Sequence, residues 1–124
     1  MIPYMAPELI NHSGPQLPPF SKKSDIYSLG VLLWELSSGN PPFKAYDEKL
    51  LIMNICQGLR EKMVPDTPPD YYNLYTACWN GNPQERPIIE KVYDKLNCIS
   101  KNNEKDVIKN SEESEGNVKF SILI

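Results

Sequence analysis

The sequence predicts a mainly α-helical domain followed by a disordered polar tail. Three observations lead there. Apolar residues recur at i, i+3, i+4 and i+7 in several separate stretches, and no convincing strand alternation appears in the folded part. Twelve prolines against six glycines punctuate the chain into short elements. Composition also changes near residue 98. Every Trp, every Tyr and all prolines lie before it, whereas residues 99–124 are rich in Lys, Asn, Glu and Ser. The predicted organisation is a folded part over residues 1–98 and a disordered tail over 99–124.

The first strong helix is expected to start at Ser24, a good N-cap, with Asp25 in the first turn where the helix dipole favours an anion. It runs through Ile26–Leu36 and stops at Ser38-Gly39. Positions 26, 29, 33 and 36 form one apolar stripe, and 27, 31 and 34 form another. A helix apolar on nearly every side needs protein on every side. A second helix is expected from about Asp47 to Gln57, closed by Gly58. A third fits Asp70 to Trp79, with Tyr71, Leu74, Tyr75 and Cys78 on one face. A fourth starts near Pro87, a residue suited to the first helical position, with Ile89, Val92, Tyr93 and Leu96 as its stripe.

Proline-rich loops separate these helices at Pro15–Pro19, Pro41-Pro42 and Pro65–Pro69. Two of them match PxxP, but without an adjacent basic anchor they read as loop prolines. The tail carries Ser111 and Ser114 among acids and ends in the apolar Val118–Ile124. That end reads as sticky chain, with strand addition to a partner as the alternative.

With 124 residues the chain holds one domain at most. A formal net charge of −3 and the lack of a Lys/Arg run argue against nucleic-acid or anionic-membrane partners. The cysteines, Cys56, Cys78 and Cys98, are odd in number and none is spaced CxxC. A disulfide framework or a zinc site is therefore not expected, and a reduced, cytoplasmic or otherwise intracellular compartment is. His12 is the only histidine, which excludes His-based metal sites and triads that need their own His elsewhere; it reads as a loop residue. No signal peptide opens the chain, and no apolar run approaches the roughly 20 residues needed to span a bilayer. Neither GxGxxG nor GxxxxGK[ST] occurs, and the carboxylates show no metal-like or acid/base spacing. No catalytic, cofactor-binding or metal-ligating residue is assigned.

What the chain does have is a set of landmarks in order. Pro3-Tyr4-Met5-Ala6-Pro7-Glu8 contains A-P-E. Next come Lys23–Leu36, then Ser38-Gly39-Asn40-Pro41-Pro42-Phe43, then Cys78-Trp79-Asn80-Gly81-Asn82-Pro83-Gln84-Glu85-Arg86-Pro87. Together these resemble the second half of the large lobe of a eukaryotic protein kinase. The Cys-Trp and Asn-Pro-x-x-Arg-Pro spelling looks most like the tyrosine-kinase and tyrosine-kinase-like branches. The resemblance covers roughly residues 2–98. It implies a helical C-lobe fragment of the protein-kinase fold. The family activity is ATP-dependent phosphorylation of protein hydroxyls, on Ser/Thr rather than Tyr because Tyr4, not Trp, precedes Met5.

The resemblance also implies roles. Glu8 and Arg86 would form a buried structural ion pair, the planar guanidinium matching the carboxylate bidentately. Asp25 corresponds to the residue that anchors the catalytic loop. Ile2, Pro3, Tyr4 and Met5 resemble the end of the loop that receives the substrate residue after the phosphoacceptor. The residue before Ile2, Met1, stands where many serine/threonine kinases carry Thr. The helix near Asp47 resembles one that docks partners in some kinases, with plain packing as the simpler reading. ATP and Mg belong to the complete family domain. The Gly-rich loop, strand Lys, H-R-D and D-F-G all precede A-P-E in family order, so this chain alone is expected to be inactive, bound to no cofactor. One flank of the Ser24–Ser38 helix, around Leu29, Leu32, Leu33 and Trp34, would then face water, each exposed side chain forfeiting about 1.5–3 kcal/mol. The partner implied is the missing N-terminal part of the kinase or another protein. The alternative to a kinase fragment is a non-catalytic, pseudokinase-like binding module using the exposed helix faces. An unfolded product is the third reading.

Overall fold

The structure is a computed structural model and describes residues 1–11 and 21–109. His12, the first PxxP, Ser111, Ser114 and Val118–Ile124 lie outside the described residues. The described residues are mainly helical and contain no strand, as the sequence predicts. The chain divides between Ile88 and Ile89 into two units.

The first unit opens with a 3-10 turn at Ile2–Tyr4 and a short helix, α1, at Pro7–Ile10. Helix α2 spans Lys22–Ser38, α3 Glu48–Cys56 and α4 Pro69–Cys78, and a second 3-10 turn covers Pro83–Glu85. Helix α2 starts earlier than expected. Its cap is Ser21, in extended conformation, whose Oγ accepts from the Ser24 backbone N–H at 3.2 Å. Ser24 therefore sits inside the first turn, where it is buried. The C-terminal end matches expectation. Gly39 has φ 71°, a left-handed conformation that a side chain would disfavour, and its N–H bonds the Glu35 carbonyl at 2.9 Å.

Helices α2 and α4 pack face to face. Ile26, Tyr27, Val31, Leu33 and Trp34 of α2 are buried, as are Tyr71, Leu74, Tyr75 and Cys78 of α4. Gly30 is what lets the two backbones approach. A Cβ there would stand 2.7 Å from Cys78 Cβ and 2.9 Å from the Tyr75 carbonyl oxygen. One polar tie joins the pair, the Tyr71 hydroxyl donating to the Leu33 carbonyl, and Trp34 Nε1 ties α2 to the loop before α4 by donating to the Lys62 carbonyl at 2.8 Å.

One side of α2 remains uncovered, though not at every residue expected. Leu33 and Trp34 are buried, Leu29 is half-buried, and Leu32 and Leu36 are 46% and 45% exposed. Asp25, also exposed, shares their face, because positions 25, 29, 32 and 36 fall within one helical stripe.

A smaller apolar cluster joins α3 to the start of the chain. Phe43, Leu51 and Ile55 are its buried members, with Ile2, Ile10 and Leu59 packed against them. Phe43 adopts φ 54°, unusual for a bulky residue, and its carbonyl accepts from Tyr46 N–H at 3.0 Å. The second PxxP is spent in a tight turn. Thr67 N–H and Oγ1 both donate to the Val64 carbonyl, with Pro65 and the left-handed Asp66 (φ 68°) between them.

The second unit begins with α5, Ile89–Lys109. Val92 and Ile99 are buried and Leu96 is half-buried. Ile89 and Tyr93, expected on the same stripe, are exposed. Residues 99–109, which the sequence reading places in the polar tail, continue α5. The run holds no Gly or Pro and several straight-chain charged residues, so polar composition did not preclude helix.

Candidate functional site

The Arg86 guanidinium organises the first unit. The 3-10 turn before it, capped by Asn82 accepting from Gln84 N–H, delivers Arg86 in extended conformation beside α1 and α2. Arg86 is only 2% exposed. Its Nη1 donates to Glu8 Oε2 at 2.7 Å and its Nη2 to Glu8 Oε1 at 2.9 Å, a bidentate fork. Nη1 also donates to the Lys23 carbonyl at 2.9 Å, and Nε to the Asn80 carbonyl at 2.8 Å. Such a cation is tolerable inside a protein because nearly every donor is matched. Ser24 Oγ supplies a third hydrogen bond to Glu8, at 2.9 Å to Oε2. Burial opposes the charge on Glu8. Bonds from Arg86, from its own backbone N–H and from Ser24 outweigh that, and hold the carboxyl below its ordinary range.

Arg60 completes the cluster. Its guanidinium lies 5.0 Å from the Tyr27 ring centroid, and that of Arg86 lies 5.1 Å from it. Arg60 donates to the carbonyls of Trp79, Ile55 and Leu59 at 2.9, 3.2 and 2.7 Å. Desolvation pushes the Tyr27 phenol up and the Arg60 guanidinium down from their ordinary values.

The segment Ile2–Met5 lies along α2. Tyr4 donates to Glu35 Oε1 at 2.5 Å, and Ser28 Oγ donates to the Tyr4 carbonyl at 2.7 Å. The hydrogen bond to Glu35, then burial and the Glu35 charge, push the Tyr4 phenol up to about 12. A cavity of about 270 Å³ opens between this segment and the start of α3, with Ile2, Pro3, Pro42, Phe43, Tyr46 and Leu51 among its walls.

The structure thus brings Glu8 and Arg86 together and ties Tyr4 to α2. It leaves the Asp25 carboxylate exposed near the start of α2, without a hydrogen-bond partner among the described residues. Ser24, Arg60, Tyr27 and Glu35 were not singled out by sequence for these contacts. For Glu35 a signal existed, since it is the one charge within the apolar run Ile26–Leu36. For Arg60 no local pattern marks a partner that lies on another element. Among the described residues no three His, Cys, Asp or Glu gather as metal ligands, and no helix is long and apolar enough to cross a membrane. The described cysteines Cys56, Cys78 and Cys98 are free thiols.

Residues 1–96 match the family described as protein tyrosine and serine/threonine kinase. The chain is 35% identical over 100 residues to mitogen-activated protein kinase kinase kinase 12 of Rattus norvegicus, covering 80% of this chain and 11% of that protein. It is 34% identical over 97 residues to mitogen-activated protein kinase kinase kinase 10 of Xenopus laevis, covering 77% of this chain and 9% of the relative. Against the dual specificity protein kinase shkD of Dictyostelium discoideum it is 33% identical over 98 residues, 77% of this chain and 12% of the relative. The chain therefore spans only a small share of the relatives it matches.

Proposed function

Since the chain belongs to the protein tyrosine and serine/threonine kinase family, we propose that it is the C-terminal part of the large lobe of a kinase of the tyrosine-kinase-like branch. The complete domain phosphorylates Ser or Thr of a protein substrate, using ATP and Mg. In this reading the chain supplies scaffold and substrate-loop residues and carries out no phosphoryl transfer alone. The residues present do not fit ATP or Mg, because the described carboxylates do not gather into a ligand set and no phosphate-cradling glycine motif occurs.

The observation that carries this reading is the uncovered face of α2, with exposed Leu32 and Leu36 running down from the exposed Asp25, which has no hydrogen-bond partner among the described residues. An apolar stripe with a hydrogen-bond acceptor at its head suits a packed polypeptide segment. In the complete domain that segment is the part that precedes A-P-E. Glu8 and Arg86 then hold the end of the substrate loop to the rest of the lobe, and Tyr4, through Glu35, fixes that loop on α2. The free thiols support an intracellular location, and the slight acidic balance speaks against nucleic acid and membrane as partners.

Reading the transcript upstream of the Met1 codon tests this. Continuous frame into D-F-G and H-R-D-x-x-x-x-N is the expected result, together with no phosphoryl transfer from ATP by the isolated chain. An in-frame stop just before Met1 in a mature transcript overturns it. A second reading, a non-catalytic protein-binding module, is favoured by the exposed Leu50 and Met53 on α3 and by Tyr46 just before it.

A further inference from the structure

We draw no further inference here: the strongest candidate, the exposed apolar patch of Leu50 and Met53 on α3 with Tyr46 just before it, beside the cavity at the start of that helix, has nothing in the structure to show what covers it.

Discussion

Arg86 and Glu8, 78 residues apart in sequence, meet through two parallel N–H···O bonds of 2.7 and 2.9 Å, and the same guanidinium bonds the carbonyls of Lys23 and Asn80. One side chain thereby gathers α1, the start of α2 and the loop after α4. Replacing it removes all four contacts and leaves a carboxylate without its counter-ion. Arg86→Ala is expected to lower unfolding free energy by about 3–5 kcal/mol, enough to abolish a cooperative urea transition in a marginal domain. Arg86→Lys should rescue little, because a single ammonium cannot reach both carboxylate oxygens and both carbonyls. A urea midpoint for the Lys variant equal to wild type would contradict this account.

The same pair sets an acid dependence. The folded-state pKa of Glu8 is depressed, so the folded chain binds fewer protons than the unfolded one at mildly acid pH. Its contribution is fully present above the ordinary glutamate value of about 4.3 and is lost as pH falls through the lower folded value. Thermal midpoints measured from about pH 7 down to 3 should drop more steeply for wild type than for Glu8→Gln. Parallel profiles would assign the acid sensitivity elsewhere.

Tyr4 carries the opposite sign. Its folded pKa is raised to about 12, so the stabilisation it brings is whole below the free-phenol value of about 10 and is lost as pH rises through 12. Difference absorbance of the phenolate should show one fewer tyrosine titrating near pH 10 in wild type than in Glu35→Gln.

Two tyrosines on α4 should respond to phenylalanine in opposite directions. Tyr75 has a buried hydroxyl without a hydrogen-bond partner among the described residues, whereas the Tyr71 hydroxyl donates to the Leu33 carbonyl. Tyr75→Phe removes a desolvated donor and is expected to stabilise by about 1 kcal/mol. Tyr71→Phe should cost about 0.5–1.5 kcal/mol. Denaturant midpoints for the two variants moving the same way would refute the contrast.

Gly30 sits mid-helix, where alanine is ordinarily favoured by about 1 kcal/mol. Here the new methyl meets Cys78 Cβ at 2.7 Å and a backbone carbonyl oxygen at 2.9 Å. Neither is the end of a flexible side chain, so overpacking at about 1–3 kcal/mol should win and Gly30→Ala should melt lower than wild type.

How much of this was legible beforehand differs by element. Helices α3 and α4 lie within a residue or so of expectation, because Asp47, Gly58 and the prolines before Tyr71 are local signals. The start of α2 was not, because Ser21 and Ser24 are equally good caps in sequence. What decides between them is that Ser24 bonds Glu8, on another helix. Tyr93 lies at core spacing yet is 65% exposed, since periodicity states which residues share a face and not how far burial extends across it. The Glu8–Arg86 pairing came from resemblance of motifs and not from any spacing rule. The stacking of Arg60 and Arg86 on Tyr27 joins three elements and left no trace in any one stretch of chain.

The two tryptophans of the chain, Trp34 and Trp79, are both buried and both belong to the first unit, while α5 contains neither. Intrinsic fluorescence is thus a private reporter of residues 1–88, shifting to longer wavelength when those indoles meet water. Far-ultraviolet ellipticity sums every helix, α5 included. Melts followed by the two optical signals on one sample would coincide if the units unfold together and separate if they do not.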